Sequence, residues 1–154
     1  MNLEEQTIRE EGKRDKPYVD CCGQYWKDCT CSQKGNLTIG IGCNLDTGLS
    51  DVEIAFLFHQ RLDAARTDVA TYLPWTDILD PVRRDVFVAM AFNMGIGKAS
   101  NKTGLLGFSR MLTYAKAGDW INAAQELVDS KFGRGVTRSR AARLAKQLIT
   151  GEYQ

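Results

Sequence analysis

The sequence predicts an α+β fold: a small N-terminal lobe with a short antiparallel sheet, a long bridging helix and an all-helical C-terminal lobe. Three observations predict it. Thr38-Ile39-Gly40-Ile41-Gly42 is a Thr-led, glycine-interrupted run with the character of a strand ending in a tight turn. Ser50-Asp51-Val52-Glu53 fits a capping box, Ser at the cap and Glu three residues on. It opens a run with apolar residues at Ile54, Phe58, Leu62, Ala65 and Val69, the spacing of one helix face. Beyond Pro74, every segment with an apolar period has a helical one.

The elements follow in order. Residues 2–11 read as a short helix, with Leu3 and Ile8 marking its apolar side and Gly12 just past its end. Residues 13–20 are polar around Pro17 and Tyr18 and suit a loop or short strand; residues 21–36 are cysteine-rich and turn-like; residues 37–43 form the strand. The bridging helix covers about 51–72 and ends before Pro74. Pro81 suits the first turn of the next helix, which carries Val82, Val86, Ala89 and Met90 and is broken at Gly95 and Gly97. Further helices are expected over Gly107–Lys116, Trp120–Asp129 and Arg138–Thr150, the last with Thr137 as its cap. Residues 1–154 are thus read as one domain, with lobes at about 1–50 and 73–154 and a cysteine-rich insert at 21–37.

Composition narrows the class. A hydrophobic content of 44% supports a core, and 25% charged residues is ordinary for a soluble protein. The formal net charge of +1 argues against a nucleic-acid binder working through bulk charge. Lys131, Arg134, Arg138, Arg140, Arg143 and Lys146 form a stretch without acids, which suits either a solvated helix face or an anionic polymer. The N-terminus is acidic and polar, unlike a signal peptide, and no apolar run reaches membrane-spanning length. The expectation is a monomer made in the cytoplasm without stable membrane insertion, needing a separate release route to act outside.

The chemistry concentrates near the N-terminus. Glu11 falls at the C-terminal end of the first helix, where the negative end of the dipole disfavours a carboxylate and favours the protonated form of a general acid. Asp20 lies beyond the helix in polar company, and Thr38 offers a hydroxyl that can hold a water. An acid, a second acid and a water-holding hydroxyl suffice to hydrolyse a glycosidic bond with no metal and no cofactor.

The stretch Glu11-Gly12-Lys13-Arg14-Asp15-Lys16-Pro17-Tyr18-Val19-Asp20, followed by Thr38-Ile39-Gly40-Ile41-Gly42, resembles the catalytic signature of phage muramidases. These are endolysins of the T-even phage lysozyme type, glycoside hydrolase family 24. Phe58–Ala65, Leu79–Arg84, Phe92-Asn93-Met94-Gly95, Trp120–Ala124 and Thr137–Arg140 extend the resemblance along the chain. It implies a lysozyme-like fold and inverting hydrolysis of the β-1,4 bond between N-acetylmuramic acid and N-acetylglucosamine in peptidoglycan. Glu11 would be the general acid, with Asp20 and Thr38 orienting the water. Phe92 matches a residue of the family's cleft; Asn44, Phe108 and Glu126 fall where relatives touch sugar but differ in type. The resemblance further implies action on the periplasmic wall after release by a holin. A lytic transglycosylase on the same bond, and an inactive wall-binding virion module, are the alternatives; the retained Asp20 and Thr38 favour hydrolysis.

The chain departs from that family in two places. Seventeen residues, Cys21 to Leu37, separate Asp20 from Thr38, where relatives keep a short link. The insert holds Cys21, Cys22, Cys29 and Cys31. If it folds back near Tyr25-Trp26, nested disulfides Cys21–Cys31 and Cys22–Cys29 are conceivable. A four-thiolate zinc site, lacking the usual Cys-x₂-Cys pairs, and free thiols are the other readings. Cys43 stands where relatives often carry His and reads as a small buried hydrophobe. His59 reads as a helix-surface residue rather than a base.

Overall fold

Asn2 starts the first helix by reciprocal capping: its side chain accepts the Glu5 N–H at 2.9 Å, and its own N–H donates to the Glu5 carboxylate at 3.0 Å. The computed structural model describes residues 2–32, 35–135 and 137–154. The chain divides into two units, Met1–Phe56 and Leu57–Gln154.

In the first unit, helix α1 (Leu3–Glu11) closes where the Gly12 N–H reaches the Ile8 carbonyl, with Gly12 at φ +70°. Leu3 and Ile8 are both exposed, so α1 buries no apolar side. A three-stranded antiparallel sheet follows, in the order β1 (Arg14–Val19), β2 (Leu37–Gly40), β3 (Cys43–Asn44). Arg14 faces Gly40, Tyr18 faces Thr38 and Val19 faces Leu37, with a slip between Arg14 and Tyr18. Thr38 in turn faces Asn44, and Ile39 faces Cys43.

The strand with a tight turn near its end expected over 37–43 is strand β2, that turn, and the start of a third strand beyond it. Gly40 and Gly42 both sit at φ +69°, a left-handed conformation that a pleated strand cannot continue through, and Ile41-Gly42 makes the reversal. Among the described residues of this unit, Thr38 alone is buried.

Helix α2 (Asp51–Tyr72) begins in the first unit and continues into the second. Ser50 donates its N–H and hydroxyl to the Glu53 carboxylate at 2.8 and 2.7 Å, which holds that carboxyl below its usual range. The apolar stripe works only over the second half: Ala65 and Val69 are buried and Leu62 is half-buried, while Ile54 and Phe58 stay exposed.

Pro74–Ile78 forms a 3₁₀ turn that periodicity did not indicate. Helix α3 (Pro81–Met94) has Asp80 as its cap, accepting the Arg83 N–H at 3.0 Å, and stops at Gly95. Leu105–Gly107 is a second 3₁₀ turn, so the helix expected from Gly107 begins two residues later as α4 (Ser109–Lys116). Helix α5 (Trp120–Asp129) matches its expected bounds, with Asp119 as cap. Helix α6 (Lys131–Arg134) is a single turn capped by Ser130. Helix α7 (Arg138–Thr150) is also as expected, but Thr137 does not cap it: its hydroxyl donates to the Phe132 carbonyl instead. The six basic residues from Lys131 to Lys146 are all exposed.

Among the described residues, the core lies wholly in the second unit. Val86, Phe87, Met90, Leu105, Met111, Leu127 and Leu148 are fully buried, drawn from α3, α4, α5, α7 and the second 3₁₀ turn. Arg83 ties two of these helices together. Its guanidinium pairs with Asp80 at 2.8 Å, donates to the Leu148 and Ile149 carbonyls at 2.8 and 3.0 Å, and lies over the Trp120 ring. It thereby satisfies carbonyls at the end of α7 that have no helical partner.

Candidate functional site

The first unit carries all three residues the sequence singled out as catalytic. Glu11 is the last residue of α1 and is exposed. Its carboxylate lies against the β2–β3 turn: a Cβ at Gly42 would stand 2.8 Å from Glu11 Oε2. The glycine at that position leaves room for the acid.

Asp20 and Thr38 meet at Asn36, a residue sequence reasoning passed over. The Asn36 backbone N–H donates to Asp20 Oδ1 at 2.7 Å, and its side-chain amide donates to Oδ2 at 2.8 Å. The Asn36 carbonyl accepts the Asp20 N–H at 3.1 Å and the Thr38 hydroxyl at 3.3 Å. One asparagine thus fixes the orientation of the carboxylate and of the hydroxyl together. A carboxylate has about four lone-pair sites, so two donors still leave room for a water. Nothing in periodicity marks Asn36; its only signal is position, two residues before the Thr of the strand.

The seventeen-residue separation is absorbed by folding the insert back on itself. Val19 N–H donates to the Gln24 carbonyl at 3.0 Å and Trp26 N–H to Pro17 at 3.2 Å, so the first half of the insert runs back along β1. Arg14 donates to the Gly23 carbonyl at 2.6 Å and covers the Tyr18 ring. Gly35 closes the other end so tightly that a Cβ there would meet Asp20 Oδ1 at 2.3 Å and Cys21 N at 2.6 Å. The four cysteines of the insert converge, every pair of sulfurs lying within 4.8 Å. Hydrogen bonding from Cys21, then Cys22 and Cys29, pushes the Cys31 thiol up to about 12. Cys43, on β3, stays apart from them and is half-buried.

The residues expected to touch sugar fall in both units. Asn44 is on β3, facing Thr38 in register, and its side chain accepts the Asp46 N–H at 2.9 Å. Phe92 is an exposed residue of α3, edge-to-face with Phe58 at 5.8 Å. Phe108 and Glu126 line one pocket of about 470 Å³, where Arg110 pairs with Glu126 at 2.5 Å. His59 is exposed on α2 beside the Phe58 ring, as its surface reading requires.

Compared with known protein families, residues 9–143 match the model described as phage lysozyme. The match takes in Glu11, Asp20, Thr38, Asn36 and each of the four sugar-contact candidates.

Proposed function

The chain belongs to the phage lysozyme family, a family of peptidoglycan-lytic endolysins, and from that premise we propose that it is an inverting muramidase. The bond cut is the β-1,4 link between N-acetylmuramic acid and N-acetylglucosamine. Glu11 protonates the departing glycosidic oxygen. Asp20 takes a proton from a water that Thr38 helps to hold, and that water attacks the anomeric carbon from the opposite face. Phe92, Asn44, Phe108 and Glu126 contact the glycan strand. No cofactor enters the reaction. Among the described residues no helix is long and apolar enough to cross a membrane. The enzyme reaches the wall through a holin-type lesion and works as a monomer.

The observation that carries this reading is the junction at Asn36, which joins Asp20 to Thr38 across the insert. A transglycosylase, which closes an anhydro ring without a water, needs no such pair. Digestion of purified peptidoglycan, with mass spectrometry of the new ends, tests it. Reducing muramic acid ends are expected; anhydro ends or glucosamine reducing ends would reject the assignment. Glu11→Gln is expected to lower the rate by about 10²-fold or more with the circular dichroism spectrum intact.

A further inference from the structure

We propose that Cys21, Cys22, Cys29 and Cys31 form a structural zinc site that staples the N-terminal unit. All four sulfurs lie within 4.8 Å of one another. Cys29 Sγ stands 3.8 Å from Cys21 Sγ and 3.6 Å from Cys22 Sγ. Four thiolates about 2.3 Å from one zinc in tetrahedral array stand about 3.8 Å apart. The two Cys29 edges match that spacing, and no pair of sulfurs is more than 4.8 Å apart.

Two disulfides fit this arrangement less well. A disulfide needs one partner per sulfur at about 2.05 Å. Here Cys29 is shared almost evenly between two neighbours in sequence, and no sulfur is singled out for it. One centre shared by four ligands explains that; two separate bonds do not.

The adjacent Cys21-Cys22 pair is unlike the usual Cys-x₂-Cys spacing. The turn in which the Cys22 and Gly23 amides both bond the Val19 carbonyl brings the two neighbours into one cluster.

The unit also lacks any other strong source of stability. Thr38 is its one buried residue among those described, and the apolar core belongs wholly to the second unit. Small folds without a sufficient core are held by disulfides or a structural metal. A closed four-sulfur site leaves no position for substrate, so the zinc would take no part in the reaction. It would instead hold Cys21, and with it the neighbouring Asp20.

The test is zinc content. The whole protein is produced in zinc-supplemented cells, purified without chelator, and analysed by plasma mass spectrometry and by native intact mass. About one zinc per chain is expected, released in step with thiol capture by a mercurial. Cobalt exchange should give the visible bands of a tetrahedral thiolate complex. Cys21→Ser and Cys31→Ser should each lose zinc, and Cys43→Ser should keep it. A metal-free chain lighter by four hydrogens, or free thiols at Cys21, Cys22, Cys29 and Cys31 with no zinc, would overturn the proposal. The wild-type stoichiometry stands alone if a variant fails to fold, and none of these readouts depends on lytic activity.

Discussion

Asn36 gives its backbone N–H and its side-chain amide to the two oxygens of Asp20, at 2.7 and 2.8 Å, across the base of the insert. Hydrogen bonds to a charged group are worth about 1.5–3 kcal/mol each way of counting. Asn36→Ala removes the side-chain donor and keeps the backbone N–H bond, which loosens the carboxylate that is assigned to the water. Asn36→Ala is therefore expected to lower kcat/KM by about 10- to 100-fold, with little change in KM. Turbidity clearing of a cell-wall suspension measures it. An Asn36→Ala protein that clears the suspension at the parent rate would show that Asp20 needs no such brace.

Gly40 and Gly42 make a matched pair. Both have φ +69°, but a Cβ at Gly40 meets nothing within 4 Å, whereas one at Gly42 meets the Glu11 carboxylate at 2.8 Å. Alanine at either site should cost about 1–2 kcal/mol of stability through the left-handed backbone. Only Gly42→Ala should also displace the acid, with a loss of roughly 100-fold in kcat. Equal activities in the two variants would separate Glu11 from the turn.

Asp80 makes part of the second unit sensitive to acid. Partial burial raises its carboxyl, but the Arg83 N–H and guanidinium outweigh that and hold it below the usual range. A depressed folded value means that the contribution is full above the unfolded value of about 3.9 and is lost as pH falls through the folded one. Urea unfolding of Asp80→Asn should lie closest to wild type at the acid end of a titration from about pH 5 downward. A constant difference across that range would assign the effect to helix capping alone.

Leu127 is fully buried on α5, and Leu127→Ala should destabilise the second unit by about 2–5 kcal/mol. Ile121, on the same helix, is 70% exposed, and its alanine variant should stay within about 0.5 kcal/mol of the parent. Paired urea titrations compare them; similar losses would contradict the assignment of the helix faces.

The sequence was most readable where local chemistry decides the structure. Ser50 with Glu53, Pro81 in the first turn and the glycine at 95 set helix ends within a few bonds of themselves, and α3, α5 and α7 begin and end where expected. It was least readable where distant residues decide. Ile54 and Phe58 have the right period to be core, yet remain exposed, because period reports a face and not what covers it. Helix α6 is one turn long, too short for any period to register. Glu11, Asp20 and Thr38, the proposed catalytic set, could be singled out from their pattern. Asn36, which joins two of them, could not, since its partner Asp20 lies sixteen positions away.

The closure at Asp20 and Asn36 has a consequence for the length of the insert. Once the two residues are bonded, the peptide between them is a side excursion from the sheet, and each doubling of such a loop costs only about 0.6 kcal/mol in closure entropy. The excursion can therefore tolerate changes of length at little entropic cost so long as its base, where Asn36 holds Asp20 and Thr38, is kept. The length of the insert and the positions of Asp20 and Thr38 are thereby largely independent.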